Sequence, residues 1–363
     1  MVVWENVKLE NLMRIETGSR NTEDKIDGGR YPFFVRSQDI ERINSYAYDC
    51  EAVLTAGDGV GTGKVFHHIN GKFDAHQRVY VMSQFNGIEG KYFYYYFSRY
   101  FSDEVSKYTA KSSVDSVRRA MIADMKIPLP ELSEQRRIAT ALSDADRYIA
   151  ALEKLITKKR NLKQGAMQDL LTGKRRLAGF SGEWVELELG EALKVSHGKS
   201  QHEVESIMGK YPILATSGEI GRCNSYLYDK PSVLIGRKGT IDKPQYMDTP
   251  FWTIDTLFYT IINQDYHPKY LFYLFCTIDW ANKNEASGVP SLSASIIERI
   301  EVILPPTFAE QTAIEAILSN MDAEIDALKA KLEKSRRIKQ GMMSELLTGR
   351  IRLIEEDTHN GEN

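Results

Sequence analysis

Two stretches of the chain decide its fold: residues 130–177, PELSEQRRIATALSDADRYIAALEKLITKKRNLKQGAMQDLLTGKRRL, and residues 306–353, PTFAEQTAIEAILSNMDAEIDALKAKLEKSRRIKQGMMSELLTGRIRL. Superimposed at a shift of 176 positions without gaps, they share 22 identical residues out of 48. The identities include Glu-Gln near the start, Lys-Gln-Gly further on and Leu-Leu-Thr-Gly near the end. Self-similarity of this extent at a fixed distance indicates a duplication.

A weaker repeat precedes each of these stretches, at a shift of 180 positions. Its landmarks pair Trp4 with Trp184, Leu9 with Leu189, Gly18 with Gly198, Tyr31-Pro32 with Tyr211-Pro212, Asn44-Ser45-Tyr46 with Asn224-Ser225-Tyr226, and Gly59 with Gly239. Between these landmarks the residues differ. The pattern predicts the order domain, helix, domain, helix, in which one scaffold is kept twice while the side chains that it displays are changed.

The two strongly similar stretches have the pattern of long helices. Their apolar residues recur at alternating steps of four and three, which is a heptad seam: Ile138, Leu142, Ala145, Ile149, Leu152 and Ile156 in the first, and Ile314, Leu318, Met321, Ile325, Leu328 and Leu332 in the second. Ser133 is typical of a helix start, and Gly173 and Gly349 are typical of helix ends. We expect each helix to run roughly 35 residues, or ~50 Å.

So narrow an apolar seam needs a partner helix. We expect the two copies to pair as an antiparallel coiled coil, with one domain at each end and an approximate two-fold axis relating the two halves. The alternative is that each helix packs only on its own domain.

The domains that precede the helices are expected to mix helices and strands, which places the fold in the α+β class. Short β-like runs lie at residues 31–35, 52–56, 78–82, 211–215, 232–235 and 256–262. The aromatic runs 92–97 and 270–275 are interpreted as buried core, in a helix or a strand, rather than as surfaces for base stacking. The expected organisation is a first domain at 1–130, a first helix at 131–173, a linker at 174–182, a second domain at 183–305, a second helix at 306–349 and a flexible tail at 350–363.

The composition is that of an ordinary globular protein, with 42% hydrophobic and 27% charged residues in a chain of 363. No run of about 18 apolar residues occurs, so we expect no membrane span, and Glu5, Lys8 and Glu10 interrupt any signal-peptide core. The 3 cysteines are far apart and fit neither a disulfide framework nor a metal site. A cytoplasmic protein is the expectation.

Charge is distributed unevenly along the chain. The net charge of -3 argues against a generally basic nucleic-acid binder. However, residues 147–177 carry nine basic residues against two acidic ones, and residues 323–353 carry eight against four. Positive charge is therefore concentrated on the two predicted helices, and the rest of the chain is acidic.

No set of residues has the pattern of a catalytic centre. The glycine-rich segment 57–64 is not a phosphate-binding loop, because Asp58 stands where that motif needs glycine and Val65 where it needs Ser or Thr. We interpret this segment as a glycine-rich hairpin whose amides can approach a DNA backbone. His67-His68 has no companions at metal-ligand spacing. We therefore predict neither catalysis nor a metal site.

Several of these motifs resemble those of one known family, the specificity (S) subunits of type I restriction-modification systems. The resemblance lies in PLPELSEQRRIATALSDADRYI and LPPTFAEQTAIEAILSNMDAEI at the helix starts, in KQGAMQDLLTGKRRL and KQGMMSELLTGRIRL at their ends, and in GVPSLSASIIERIEVILPP at 288–306. It covers about residues 1–353.

The resemblance implies a role in DNA recognition. Such subunits carry two target recognition domains, each of which reads one half of a split, asymmetric DNA sequence. Two helices form an antiparallel coiled coil that fixes the gap between the halves and docks two methyltransferase subunits, and restriction subunits complete the complex. The specificity subunit has no active site of its own. S-adenosylmethionine, ATP and Mg are expected on the partner subunits and no cofactor on this chain.

Base-reading residues are expected where the two domains share a position but not an identity, and where the side chains donate or accept hydrogen bonds. The candidates are Ser19, Arg20, Asn21, Arg36, Gln38, His76, Gln77 and Arg78 in the first domain, and Lys199, Ser200, Gln201, Thr216, Arg237 and Lys238 in the second. On the helices, Lys158, Lys159, Arg160, Arg336 and Arg337 are candidates for DNA phosphates; the alternatives are a solvated face or contact with a methyltransferase.

Two other functions remain open from the residues. One is a coiled-coil protein scaffold that does not bind DNA sequence-specifically. The other is an enzyme that binds nucleotide through the glycine-rich segment and Lys64. Because the chain outside the helices is acidic, we further expect it to bind DNA weakly without its partner subunits.

Overall fold

The computed structural model describes residues 4–109, 116–284 and 286–354. The chain divides into two compact units: unit 1 is Met1–Glu153 together with Lys331–Asn363, and unit 2 is Lys154–Ala330. Of the flexible tail predicted at 350–363, residues 355–363 lie outside the described residues. The two units are described separately below.

The described residues of unit 1 form eight strands and two α-helices before the first long helix begins. These elements are β1 (Glu5–Lys8), β2 (Arg14–Thr17), β3 (Tyr31–Phe34), β4 (Glu41–Ile43), β5 (Tyr48–Ala56), β6 (Phe66–Ala75), β7 (Val79–Ser83), α1 (Gly90–Thr109), α2 (Arg119–Ala123), β8 (Lys126–Leu129) and the long helix α3 (Leu132–Leu170). Six strands form one sheet in the order β2-β7-β5-β6-β3-β4, and β1 pairs with β8.

Unit 2 is built from a similar succession of elements. They are β9 (Val185–Glu188), α4 (Leu189–Ala192), β10 (Leu193–Ser196), β11 (Tyr211–Ala215), β12 (Gly218–Cys223), β13 (Ser232–Gly236), β14 (Gln245–Met247), β15 (Trp252–Thr253), β16 (Leu257–Ile262), α5 (Pro268–Phe275), α6 (Ala294–Glu298), β17 (Glu301–Leu304) and the long helix α7 (Phe308–Leu346). The sheets run β10-β16-β13-β14, β12-β11-β15 and β17-β9. Helices and strands occur in both units, which agrees with the α+β prediction.

Each predicted β-like run coincides with a strand, and the parallel pairs occupy corresponding places. In unit 1, β3 runs parallel to β6, with Phe33 opposite Asp74. In unit 2, β11 runs parallel to β15, with Ile213 opposite Trp252. The other strand pairings within the sheets are antiparallel.

The aromatic runs contribute to the cores, as predicted, and the structure places both of them in helices rather than strands. In α1, Phe93 and Phe97 are fully buried beside Met82 and Val53 of the sheet. In α5, Phe275 is fully buried in the corresponding core of unit 2. Packing gives a helix its tertiary stabilisation, and in α1 the aromatic residues lie on several faces: Tyr92, Phe93, Tyr95 and Phe97 are buried and Tyr94 and Tyr96 are partly buried.

The two long helices are each 39 residues long and each contributes to both units. In unit 1, the first turns of α3 bury Ile138 and Leu142 in the domain core, together with Leu346 from the end of α7. In unit 2, the first turns of α7 bury Ile314 and Leu318 together with Leu170 from the end of α3. Packing on the domain is therefore present at the helix starts.

Further along, the two helices are joined by ion pairs within each unit. In unit 1, Lys339 Nζ lies 2.5 Å from Asp146 Oδ1, and Arg336 Nη2 lies 2.6 Å from Glu153 Oε1. As residue numbers rise on one helix they fall on the other, so the two segments are antiparallel. In unit 2, the pairs Lys163–Asp322 at 2.5 Å and Lys159–Glu324 at 2.6 Å show the same antiparallel relation.

The repeated Glu-Gln pair anchors the start of each long helix. Gln135 donates from Nε2 to Pro130 O at 2.8 Å, and its Oε1 accepts from the amide of Glu89, just before α1, at 2.8 Å. In unit 2, Gln311 accepts from the amide of His267, just before α5, at 2.8 Å. The glutamine thus ties each long helix to the aromatic helix of its domain, which explains why both copies retain it.

Candidate nucleic-acid interface

Three separate candidate segments of unit 1 meet at one place. The amide of Arg20 donates to Ala75 O at 3.2 Å, and the amide of Gln77 donates to Arg20 O at 2.8 Å. The amide of His76 donates to Phe34 O at 2.9 Å, which brings the end of β3 to the same place. We call residues 19–21, 36–38, 58 and 76–78 the unit 1 patch.

A close backbone approach explains the glycines that precede the first candidate segment of each domain. A Cβ atom on Gly18 would lie 2.0 Å from Ala75 O, and one on Gly198 would lie 1.9 Å from Ile254 O. Because real Cβ atoms do not come so near to a carbonyl oxygen, any side chain at either position would push the segments apart. Both glycines therefore allow the close approach of these backbone segments.

Two of the candidates in unit 1, Arg20 and His76, make contacts that stabilise the patch itself. Arg20 Nε lies 3.0 Å from Asp74 Oδ2, whose side chain is fully buried, and Arg20 Nη2 donates to Ser45 Oγ at 3.0 Å. His76 is buried, and its Nδ1 accepts from the amide of Arg78 at 2.9 Å. Burial lowers the pKa of His76, which favours the neutral ring that this acceptor role requires.

The remaining candidates in unit 1 lie at the surface. Ser19, Asn21, Arg36, Gln38, Gln77 and Arg78 are all exposed. Gln77 Nε2 donates to Asn21 Oδ1 at 2.6 Å, so these two amides are held together. Exposed donors and acceptors beside the ends of the sheet strands are suited to hydrogen bonding with base edges or phosphates.

Asp58 belongs to the unit 1 patch and was missed as a candidate. Its Oδ1 accepts from Arg36 Nη1 at 2.9 Å, and its Oδ2 lies 3.7 Å from Arg78 Nε. Asp58 precedes a short 3-10 turn at Gly59–Gly61, between the antiparallel strands β5 and β6, which agrees with the predicted hairpin. Comparing the repeats at this position, where Lys238 replaces Asp58, would have identified it.

The candidates of unit 2 stand on the same backbone frame. The amide of Lys199 donates to Thr253 O at 2.8 Å, and the amide of Ile254 donates to Leu214 O at 3.1 Å. Lys199 and Ser200 are exposed, whereas Gln201 and Thr216 are half-buried. The structure therefore brings 199–201 and 216 to one region of unit 2, which matches the arrangement of 19–21 and 36 in unit 1.

Arg237 and Lys238 line an open cavity of about 810 Å³ in unit 2. Its other polar lining residues come from three segments of the unit: His197, Asp255, Thr256, Ser291, Ser293, Ser295 and Glu298. The serines lie in the 288–306 segment, where sequence analysis assigned no site residues. The cavity is therefore lined by two cationic side chains, two carboxylate side chains and several hydroxyl groups.

The basic residues of the long helices have different environments. Lys159 and Arg336 are engaged in the ion pairs with Glu324 and Glu153, each at 2.6 Å. The side chains of Lys158, Arg160 and Arg337 are exposed. The sequence does not distinguish these two groups, since Glu324 and Glu153 lie on the other helix, although Arg336 also pairs with Glu333 on its own helix at 2.7 Å.

The described part of the chain contains neither a candidate metal site nor a candidate membrane-spanning helix. No three His, Cys, Asp or Glu side chains among those residues come together as a metal site. No helix formed by them has the length and apolar character needed to span a membrane. His68 is instead paired with Glu51 at 2.8 Å.

A family model described as the type I restriction modification DNA specificity domain matches residues 1–164 and 181–335. The specificity subunit of the Escherichia coli type I restriction enzyme EcoDI is 30% identical over 176 residues, which is 47% of this chain and 38% of that subunit. The match thus spans less than half of that relative. The MjaVIII specificity subunit of Methanocaldococcus jannaschii is 24% identical over 96% of this chain and 93% of its own.

A solved structure has a similar fold. The S subunit of the type I restriction-modification system of M. genitalium superimposes with a TM-score of 0.70 at 19% sequence identity, over 94% of this chain and 96% of that one.

Proposed function

The chain belongs to the family of type I restriction-modification specificity subunits, and on that premise we propose that each unit reads one half of a split, asymmetric DNA target. The family has a DNA-specificity role and its members are not catalysts, so this chain is the non-catalytic recognition component of its system. The division of the target into two halves is our proposal.

One observation carries the proposal: the same backbone frame displays different polar side chains in the two units. The amide of His76 donates to Phe34 O in unit 1, and the amide of Ile254 makes the corresponding bond to Leu214 O in unit 2. The exposed side chains around these bonds differ between the units. A repeated frame with altered donors and acceptors is what reading two different half-sites requires.

We further propose that α3 and α7 form an antiparallel coiled coil that sets the distance between the half-sites. A continuous helix of 39 residues is about 58 Å long at ~1.5 Å per residue. One ion pair between the helix segments recurs at equivalent positions, as Lys163–Asp322 in unit 2 and Lys339–Asp146 in unit 1, which supports an approximate two-fold arrangement. In this proposal Lys158, Arg160 and Arg337 face DNA phosphates or a methyltransferase.

The proposed partners are double-stranded DNA, two methyltransferase subunits and restriction subunits, all in the cytoplasm. S-adenosylmethionine, ATP and Mg would bind to the partner subunits. In this proposal the partner subunits supply much of the electrostatic attraction for DNA, because the net charge of this chain is -3.

The test is adenine-methylation mapping by single-molecule sequencing. DNA is taken from a host strain that lacks the chromosomal copy of this chain, retains its methyltransferase and carries the chain on a plasmid. We expect methylation of a bipartite motif, with two short halves around a fixed unspecified gap. Replacing residues 1–127 with the same region of a related subunit should change one half only.

The competing function is a protein scaffold without sequence-specific DNA binding. It predicts no methylation that depends on this chain, although the methyltransferase itself is active. A methylated but undivided motif would instead retain the DNA-specificity role and contradict the assignment of one half-site to each unit.

A further inference from the structure

Three positions around the glycine-rich turn are structurally equivalent in the two units. In unit 1 the amide of Gly57 donates to Arg78 O at 2.7 Å, and in unit 2 the amide of Arg237 donates to Thr256 O at 2.8 Å. The next residue along makes an isolated antiparallel bridge in both units, Asp58 with Ser116 and Lys238 with Ser291. Asp58 therefore corresponds to Lys238, and Arg78 to Thr256.

The third pair of equivalent positions is Arg36 in unit 1 and Thr216 in unit 2. Arg36 follows β3 by two residues, and Thr216 follows β11 by one, at the 180-residue shift that also relates Tyr31 to Tyr211. Unit 1 thus has a carboxylate between two guanidinium groups, whereas unit 2 has an ammonium group and two hydroxyl groups. The frame is shared, but the central side chain changes from the negative Asp58 to the positive Lys238.

The carboxylate of Asp58 contacts two arginines whose side chains are exposed to solvent. It is 24% exposed, while the side chains of Arg36 and Arg78 are 45% and 65% exposed. Its two oxygens contact different arginines, Arg36 Nη1 at 2.9 Å and Arg78 Nε at 3.7 Å. The Arg36 contact is a hydrogen bond through one nitrogen, whereas the Arg78 contact is an ion pair beyond hydrogen-bond distance, so further N–H donors of both arginines remain available to a ligand.

This geometry suits one kind of base edge. A guanidinium fork donates two parallel hydrogen bonds, and guanine presents the matching pair of acceptors, O6 and N7, in the major groove. Two neighbouring cations repel each other and have long flexible side chains, so a shared carboxylate reduces both the repulsion and the freedom lost on binding. Lys238 in unit 2 carries a flexible point charge in place of the planar, preorganised fork.

We propose that Arg36 and Arg78 read guanine in the half-site of unit 1, and that Asp58 is the residue that positions them. The inference rests on the proposed function, because it names the bases that one of the two patches reads. The half-site of unit 2 does not depend on this set.

The test uses the methylation mapping described above, with Asp58→Asn, Asp58→Glu and Arg78→Lys in the full chain. Wild-type methylation should require guanine at one or two positions of the unit 1 half-site. A bidentate arginine contact corresponds to about 5- to 150-fold discrimination between bases. Arg78→Lys should reduce the preference at one guanine position by that factor, and Asp58→Asn should weaken it at every position read by the pair.

The half-site of unit 2 is the internal control, since it should stay unchanged in every variant. Asp58→Glu keeps the charge and should restore part of the guanine preference, which a purely structural role would not predict. Asp124→Asn is a matched control, because Asp124 is also a partly exposed carboxylate, paired with Lys8 at 2.7 Å, and lies outside the patch. It should leave the motif unchanged.

The outcomes separate this inference from the proposed function. A bipartite wild-type motif that Asp58→Asn and Arg78→Lys leave unaltered overturns the inference alone. A unit 1 half-site without guanine does the same. If Asp58→Asn abolishes all methylation through misfolding, Arg78→Lys and Asp58→Glu decide by their effect on base preference. Absence of any chain-dependent methylation by the wild type contradicts the proposed function.

Discussion

Arg352 and Glu134 are 218 residues apart in the sequence, and two hydrogen bonds of 2.8 and 2.7 Å join the guanidinium group of one to the carboxylate of the other. The Glu134 carboxylate is 2% exposed and also accepts from the amide of Leu353 at 3.0 Å. The residues just after α7 are thereby fastened to the start of α3. In unit 2, Arg176 makes the same contact with Glu310, at 2.9 and 2.8 Å.

Replacing Arg352 by alanine should destabilise unit 1. The substitution leaves the Glu134 carboxylate buried with only an amide partner, and removing one member of a buried pair is costly. Because Arg352 itself is partly exposed, we expect a loss of about 2–3 kcal/mol in the free energy of unfolding. Urea unfolding followed by tryptophan fluorescence measures it, since the Arg352 guanidinium carbon lies 5.1 Å from the ring centre of Trp4.

The matched control for this change is Arg350→Ala. Arg350 is two residues away and pairs with Glu345 at 2.9 Å, but both side chains are well exposed. Exposed pairs contribute up to about 1 kcal/mol, so the control should lose far less than Arg352→Ala. Arg176→Ala should destabilise unit 2 by a similar amount. Equal losses for Arg352→Ala and Arg350→Ala would contradict the role assigned to the buried carboxylate.

The stability of unit 1 should fall as the pH drops below the ordinary range of histidine. The pKa of His76 is lowered, first by burial and then by Arg36, with Arg78 also lowering it and Asp58 and Glu23 opposing. Below about pH 6.5 the unfolded chain binds a proton that the folded chain resists. The contribution of His76 is therefore intact above that pH and is lost as the pH falls toward the lowered pKa.

The substitution His76→Asn tests this prediction. The side-chain oxygen of the introduced asparagine offers an acceptor in place of Nδ1 for the amide of Arg78, but asparagine does not titrate. The urea midpoint of the wild type should fall more between pH 7.5 and pH 5.5 than that of the variant. His67 has a pKa lowered by burial as well, so part of the wild-type dependence should persist. Identical pH profiles for the two proteins would show that His76 is not responsible.

Lengthening both long helices should widen the gap in the DNA target. We suggest inserting seven residues between Glu153 and Lys154 and seven between Ala330 and Lys331, where the two units divide. Seven residues add about 10.5 Å of helix, or roughly three base pairs at ~3.4 Å each, and preserve the heptad seam. Methylation mapping should then show unchanged half-sites around a gap three base pairs longer.

The control is the same insertion in one helix only. It displaces the ion pairs of one helix against those of the other, including Lys163–Asp322, and should reduce methylation at every site. If the double insertion leaves the gap as it was, the helices do not set the spacing and that part of the proposed function fails.

Replacing Gly165 and Gly341 by alanine should stabilise the long helices. The two glycines lie inside α3 and α7 at equivalent positions, and a Cβ atom on either would meet no atom within 4 Å. Glycine inside a helix costs about 0.5–1 kcal/mol relative to alanine. Each substitution should raise the free energy of unfolding by that amount in urea titration of the isolated chain.

The same two variants test whether a methyltransferase docks at this part of the helices. If a partner backbone comes close to the glycines, alanine should weaken co-purification with the methyltransferase although it stabilises the free chain. Gly71→Ala is unsuitable as a control, because that glycine has a φ of 137°. Ala150→Ser, at an exposed position of α3, changes the helix surface elsewhere; it should leave co-purification unchanged and slightly lower the free energy of unfolding, because serine is a weaker helix former than alanine.

Much of the fold is readable from local patterns in the sequence. The duplicated 48-residue stretches predict two long helices, and the structure has two helices of 39 residues at those places. The β-like runs and the burial of the aromatic runs were also predicted correctly, whereas the choice between helix and strand for those runs was left open. These features depend on periodicity and residue type within a few turns or strand residues, which a single sequence displays directly.

The function of individual site residues depended on contacts between distant segments. Arg20 and Asn21 are adjacent candidates in the sequence, yet only Arg20 is fastened to the buried carboxylate of Asp74. No sequence motif identified Asp58 as a candidate. Its proposed positioning role depends on its contacts with Arg36 and Arg78, which the fold brings beside it.

By itself, the sequence determined the duplication, the long helices, the α+β class and the family to which the chain belongs. Only the tertiary structure decided which charges are paired and which face solvent, as with Lys159 and Lys158 on α3. The physical reason is that helix and strand periodicities are local properties of the chain. An ion pair instead depends on which distant segment the fold places within hydrogen-bond distance.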